Sequence, residues 1–386
     1  MTGQGEVDVA ILLHDLAETG VARNALAIAS AAQRAGLRTE IWVVDGTGPL
    51  ITQVPHGVGV VILRSGGRAS RNRRVADIAA IGALAKAFRG RRPAVALSAG
   101  NHFHITASAA YFLAGSPSST RLLFRASNPP FQGRKIRIGF FLAWLYGLRF
   151  KGARRIISVS EELHAFLVRN LRIDPQQVVT IANSIDLKTA QERAGQAVEH
   201  PWFVQGEPPV VVGIGRLAPQ KNFGLLIKSF AQARRTRPMR LVIIGDGQGA
   251  ELARLQALVE NLGMTPNDVG FAGHQANPLK YLARARLFVL SSNWEGMSNV
   301  LLEAMACGCP VVATDCPTGV RELLEEGGLG AIVPVDDVDS MARAILVKLS
   351  ETPNREALRG QAARHDRSAA LDLYVAVFRE EMGIGI

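Results

Sequence analysis

Residues Ser291 to Val312 read SSNWEGMSNVLLEAMACGCPVV, and the rest of the chain can be arranged around them. An apolar strand, Leu287 to Leu290, runs out just before this stretch, which therefore begins as a loop at a strand's carboxyl end. Gly296 frees the backbone, and Ser298 or Asn299 can cap the apolar turns that follow. Glu295 then lies in the loop before the helix, and Glu303, eight residues on, lies about one turn inside it. The first N–H groups of a helix are unpaired and sit at the positive end of its dipole, an arrangement that suits an anion. The stretch offers an anion cradle with a carboxylate on each side. A nucleotide-diphosphate sugar would fit it, with phosphates on the helix end, ribose hydroxyls on one Glu and sugar hydroxyls on the other. The plainer alternative is an ordinary strand–loop–helix unit carrying two solvated glutamates.

Company favours the first reading. EGMSNVLLEAMACGCPVVATD resembles the E-x7-E element of retaining glycosyltransferases with the GT-B fold, family four in particular, including the A-x-G-x-P-V-V-A-T-D continuation. Further elements match in order, and the resemblance covers nearly the whole chain. It implies an α/β fold of the GT-B kind: two doubly wound Rossmann-like domains facing across a cleft.

Composition agrees with that size and class. At 386 residues the chain is long for a single core and suits two domains of about 150 to 200 residues each. A hydrophobic content of 48% excludes a disordered chain. No stretch reaches the roughly 18 uncharged apolar residues of a spanning helix. MTGQGEVDVAILLHD lacks a basic region before its apolar run, so it reads as a first strand rather than a secretion signal. The expected location is the cytoplasm, at the inner face of the cell membrane. Cys307, Cys309 and Cys316 allow a C-x-C-x6-C metal site, but no His with zinc-like spacing joins them, and buried thiols are the simpler reading. The net charge of +11, from 44 basic and 33 acidic residues, attracts anionic partners. No helix-turn-helix or RNA-binding strand signature accompanies it, which argues against nucleic acid.

Strands and helices alternate from the start, the pattern of a parallel doubly wound sheet whose ligands sit at the carboxyl ends of the strands. Val7 to Leu13, Thr39 to Val44, Val58 to Leu63, Val95 to Ser98 and Leu122 to Arg125 read as strands. A helix over Ala22 to Ala35 is placed to end at Gly36. The loop HDLAETGVARN after the first strand occupies the place of the family's Gly-rich loop, but it holds only Gly20 where many relatives carry two or three glycines. AGNHFHITASAAY follows the strand ending at Ser98; relatives place a His there that reaches the transferred sugar, and His102 is preferred over His104. In relatives the edge after Leu122 to Arg125 faces the acceptor, which nominates Arg125 and Asn128; a turn fixed by Pro129 and Pro130 is the alternative.

The segment from Arg134 to Lys151, RKIRIGFFLAWLYGLRFK, combines basic ends with aromatic bodies. It suits either a helix lying in a membrane interface or a helix buried between layers. Ser160 caps a helix after the strand in RRIISVSEEL, and VVTIANSID closes the domain. The domain boundaries read from the sequence are 1–188, a linker over 189–209 where Gly and Pro accumulate, 210–365, and a C-terminal helix in 366–386 packing back on the first domain.

In the second domain the strand Val210 to Ile214 delivers Gly215, Arg216 and, five residues later, Lys221. Two fixed cations at a strand's carboxyl end can hold a diphosphate, Arg as a fork and Lys as a point charge. GRL-x3-KN matches the family's donor-phosphate element, and the resemblance gives Arg216 and Lys221 that role. Gly245 and Asp246, in the turn after Arg240 to Ile244, line the nucleotide pocket in relatives. Phe271 to His274 sit where relatives hold the base. Gly296, Met297, Ser298 and Asn299 complete the donor-binding set with Glu295 and Glu303. Asp336, Asp337 and Asp339 follow a strand and precede a helix, which makes them caps rather than a D-x-D metal site, and enzymes of this fold generally need no bound metal.

The expected activity is retaining transfer of a sugar from a UDP- or GDP-sugar to a lipid-linked or cell-envelope glycan, with α-linkage. Glu295, His102, Arg216 and Lys221 form the expected catalytic set. A sugar-nucleotide epimerase of the same fold and a non-catalytic nucleotide- or glycan-binding module are the alternatives.

Overall fold

The computed structural model describes residues 7–63, 73–129, 147, 150, 152–247 and 249–384. Of these, 7–129, 147–182 and 368–384 form one compact unit and 183–367 the other.

The first unit is built on seven strands: β1 (Val9–Leu13), β2 (Thr39–Val43), β3 (Gly59–Ile62), β4 (Val95–Ser98), β5 (Arg121–Ala126), β6 (Arg155–Ser158) and β7 (Val178–Thr180). They lie in the order β3-β2-β1-β4-β5-β6-β7 and pair in parallel throughout. The sequence explains why. β1 is VAILL with every residue buried, so it has no solvated face; helices must cover both sides, which is the condition of a parallel sheet. The helix Gly20–Arg34 stops where Gly36 takes φ +83°, a left-handed turn in which Leu37 N–H returns to the Ala32 carbonyl at 3.0 Å.

The second unit repeats the plan with six strands: β8 (Val210–Ile214), β9 (Arg240–Ile244), β10 (Val269–Gly273), β11 (Leu287–Leu290), β12 (Val311–Thr314) and β13 (Ala331–Val333). Their order is β10-β9-β8-β11-β12-β13, again parallel. In each unit the winding direction reverses once, between β1 and β4 and between β8 and β11. At such a reversal the two flanking loops diverge and leave a crevice at the carboxyl ends of the strands, where ligands bind in open α/β sheets.

The division between units falls after Ala182 and again after Arg367, not within 189–209. The Gly and Pro residues of that interval do break regular structure, but the chain there is anchored to the second unit. Asp186 caps the helix Leu187–Gly195 by accepting from Thr189 N–H at 2.9 Å, and that helix packs on the helix Leu279–Arg284. Asn277 Nδ2 and Arg284 then donate to the Arg193 and Ala194 carbonyls at 2.8 and 3.1 Å. The last helix, Arg367–Met382, buries Tyr374, Val377 and Phe378 against Val9, Ile11 and Ile157 in the core of the first unit. No helix among the described residues is long and apolar enough to cross a membrane. The membrane-interface reading of 134–151 lies outside the described residues, apart from Gly147 and from Phe150, which is buried against His104 and Phe124.

Two predictions follow from this packing. Phe378 is fully buried, so Phe378→Ala should cost about 3–5 kcal/mol, measured as a lower urea midpoint of the intact chain. All three cysteines are buried; burial pushes the Cys307 thiol up to about 12 and the Cys309 and Cys316 thiols higher still. A raised thiol pKa keeps the nucleophilic thiolate scarce. A chromogenic disulfide reagent at pH 8 should therefore titrate almost no thiol in the native chain and all three after unfolding.

Candidate active site

β8 and β11 lie side by side, with Val211 opposite Leu287 and Val212 opposite Phe288, so their carboxyl-end loops leave the sheet as neighbours. Hydrogen bonds zip those loops together. Asn293 donates from its backbone to the Gln220 carbonyl at 2.8 Å and from its side chain to the Pro219 carbonyl at 2.8 Å. Gln220 Nε2 donates to the Trp294 carbonyl at 3.0 Å, and Ser291 Oγ to the Lys221 carbonyl at 2.7 Å. Asn222 uses both amide hydrogens, one on Asn293 Oδ1 at 2.9 Å and one on Asp336 Oδ1 at 2.7 Å, while its oxygen caps Leu225 N–H at 3.3 Å.

The consequence is a contact between two predicted site residues. Lys221 Nζ lies 2.6 Å from Glu295 Oε1, with side chains only 17% and 8% exposed. The same carboxylate oxygen accepts from Ser292 Oγ at 2.7 Å, and Thr318 Oγ1 donates to the Glu295 carbonyl. An ammonium has three donors, so binding Glu295 leaves others for a ligand. The residue read from the sequence as a phosphate anchor and the one read as a binder of sugar hydroxyls thus form one ion pair.

Gly296, Met297 and Ser298 are buried beyond Glu295 and lead into the helix Asn299–Ala306. Ser298 is at the cap position, yet its side chain makes no capping bond; its Oγ is buried without a partner among the described residues, as is Asn299 Oδ1. Glu303 sits half-buried in the second turn. Arg216 is exposed directly after Gly215. The turn after β9 presses on this loop: Gly245 has φ +150°, and a Cβ there would lie 1.9 Å from the Gly215 carbonyl oxygen, so only glycine permits the approach. Asp246 next to it is exposed, its Oδ2 3.5 Å from His274 Nδ1 at the end of β10. The three aspartates after β13 go separate ways. Asp337 caps the helix Val338–Ser350, Asp336 accepts from Asn222 and Asp339 from Gln232, in keeping with capping and loop roles.

In the first unit the two histidines after β4 part company. His104 is core: its ring stacks on Phe124 at 4.4 Å between centroids, and Nδ1 lies 2.8 Å from Ser98 Oγ. His102 is exposed at the strand's carboxyl end. Gly20 opens the helix Gly20–Arg34 at the surface, behind a Thr19 cap that accepts from Ala22 N–H at 3.2 Å. Arg125 corrects the sequence reading. It is 3% exposed, and its Nε donates to Tyr374 Oη of the last helix at 3.0 Å, so it holds the core instead of facing an acceptor. An arginine at the end of a strand looks like a surface cation until the covering helix is known. Asn128 offers its carbonyl to Asn101 Nδ2 at 2.6 Å.

Two further groups escaped sequence reading. His14, directly after β1, hydrogen-bonds Asp77 of the helix Arg73–Ala79, and both are buried. The position of His14 at a strand's carboxyl end was the available signal; Asp77, 63 residues away, gave none. Ser292 and Thr318, which hold Glu295, are likewise silent small polar residues.

Comparison with known proteins follows the same division. Residues 19–189 match Glycosyltransferase Family 4 and residues 208–351 match Glycosyl transferases group 1. The N-acetylgalactosamine-N,N'-diacetylbacillosaminyl-diphospho-undecaprenol 4-alpha-N-acetylgalactosaminyltransferase of Campylobacter jejuni is 32% identical over 57% of this chain and 57% of its own length. The GDP-mannose-dependent alpha-(1-6)-phosphatidylinositol monomannoside mannosyltransferase of Mycolicibacterium smegmatis is 36% identical over 42% of this chain and 43% of its own. The chain thus spans about half the length of the curated relatives it matches. Among solved structures, Anabaena HepE in complex with UDP and glucose superposes with a TM-score of 0.78 at 17% identity, over 97% of this chain and 100% of that one. Two parallel-sheet units, matching family segments in the same order and this structural likeness place the chain among the glycosyltransferases of the GT-B fold.

Proposed function

We propose that this chain is a retaining glycosyltransferase, moving a sugar with α-linkage from a nucleotide-diphosphate sugar to a lipid-linked or cell-envelope glycan. The observation that carries the reading is the convergence, at the β8/β11 winding reversal, of the Lys221–Glu295 pair with a helix start whose cap hydroxyl, Ser298 Oγ, lacks a partner among the described residues. Breaking the bond from the anomeric carbon to the diphosphate sends an electron pair to the leaving phosphate. Lys221, Arg216 and the N–H groups before Glu303 meet that charge from fixed positions. Positive charge grows on the sugar ring at the same time, and Glu295 faces it while binding hydroxyls. Glu303 takes the ribose. The acceptor hydroxyl's oxygen bonds to the anomeric carbon on the face the phosphate leaves, and its proton passes to that phosphate, so configuration is retained in a scheme that works without a metal.

Relatives support the acceptor class. The names of the two curated relatives carry a diphospho-undecaprenol and a phosphatidylinositol mannoside. A net charge of +11 favours approach to an anionic membrane surface. The base is open between uracil, bound in the HepE complex, and guanine, in the name of the mannosyltransferase.

Incubation with UDP-, GDP- and ADP-sugars should release a nucleoside diphosphate from one of them. Lys221→Ala should slow that release roughly 10²–10³-fold, the loss found for removal of one preorganised charge-stabilising group. Because Lys221→Ala also leaves Glu295 buried without its cation, Glu303→Gln provides the second arm and should raise KM for the donor in a chain of unchanged stability. Unchanged turnover in both variants would refute the assignment of the site.

A further inference from the structure

We infer that Asn183 is a positioning residue for the diphosphate end of the donor site, a role that rests on the donor-site reading above. Asn183 is the first residue of the second unit and is 8% exposed. Its Nδ2 donates to the Met297 carbonyl at 2.8 Å across 114 residues of sequence.

The stereochemistry of the peptide bond gives that contact a consequence. A trans peptide is planar, with its C=O and N–H pointing opposite ways. Anchoring the Met297 carbonyl on Asn183 therefore aims the Ser298 N–H away from Asn183. Neither Ser298 N–H nor Asn299 N–H has a hydrogen-bond partner among the described residues. A serine at a cap position ordinarily spends its hydroxyl on an N–H of the first turn. Here it does not, and the helix start is ordered from behind, through the Met297 carbonyl. The donors on the other side are left to converge on phosphate oxygens.

Asn183 is itself firmly held. Ile185 N–H donates to the His365 carbonyl at 2.9 Å and Arg367 N–H to the Ile185 carbonyl at 3.0 Å, a parallel bridge between Ile185 and Asp366. The two places where the chain passes from one unit to the other, after Ala182 and after Arg367, adjoin this bridge. The loop that carries Glu295 and the helix start is thus braced on the paired crossing segments through the Asn183 side chain.

A merely structural role would lower stability without favouring one part of the ligand over another. Binding of UDP and GDP to the full chain by calorimetry, and of uridine and guanosine by ligand-observed NMR, separates the two. Asn183→Asp removes the donor and sets a carboxylate oxygen against the Met297 carbonyl; Asn183→Ser shortens the side chain and serves if the Asp variant does not fold. Each should weaken the diphosphate that the wild type binds by about tenfold while leaving the matching nucleoside nearly unaffected. Equal losses for diphosphate and nucleoside, or no loss of diphosphate affinity, would overturn the role of Asn183 alone. A wild-type chain that binds neither UDP nor GDP would remove the donor-site reading and this role with it.

Discussion

An ammonium and a carboxylate held 2.6 Å apart, both largely withdrawn from water, do not stay together by their own attraction. Removing such charges from solvent costs several kcal/mol per ion, which the Coulomb gain offsets only when geometry is fixed from elsewhere. Between Lys221 and Glu295 that fixing comes from the loops. Asn293, Gln220, Ser291 and Asn222 stitch the segment after β8 to the segment after β11, and Ser292 supplies a second hydrogen bond to the same carboxylate oxygen. The pair is better understood as the product of this stitching than as its cause. What it provides is position: a cation and a carboxylate fixed side by side at the carboxyl ends of β8 and β11.

The stitching depends in turn on sheet topology. Two loops become neighbours only if their strands are neighbours, and β8 and β11 are 76 residues apart at their aligned positions, brought together because the winding direction reverses between them. β9, on the other flank of β8, contributes the turn in which Gly245 lies against the Gly215 carbonyl, with no room for a side chain. Arg216 and Asp246 are thereby presented from adjacent turns at the surface. The first unit uses the same plan with other contents. After β1 and β4 it presents histidines rather than a lysine and a glutamate, His14 braced by Asp77 and His102 exposed.

Residues that look alike in sequence part ways for reasons of packing. His102 and His104 are two positions apart, but one ring is in solvent and the other stacks on Phe124 in the core. Arg125 follows an apolar run as Arg216 does, yet the helix Arg367–Met382 covers Arg125 and supplies Tyr374 to its guanidinium, whereas Arg216 is exposed. Ser160 and Ser298 both precede helices; Ser160 Oγ caps Leu163 N–H, and Ser298 Oγ caps nothing.

The strands, their alternation with helices, the parallel class of both sheets and the E-x7-E segment were legible in the residues alone. Apolar runs such as VAILL, stop signals such as Gly36 and motif spacing are local properties, each carried by a few consecutive positions. Tertiary structure decided which of those residues meet. The Lys221–Glu295 contact joins positions 74 apart, Asn183 and Met297 are 114 apart, and Arg125 and Tyr374 are 249 apart. It also moved the unit boundary from the Gly- and Pro-rich 189–209 to Asn183, because chain breaks mark irregular backbone while packing marks membership of a core. Local chemistry specifies elements and their order; which side chains share a charge or a hydrogen bond is set by loop closure between strands distant in sequence, and no short window of residues contains that information.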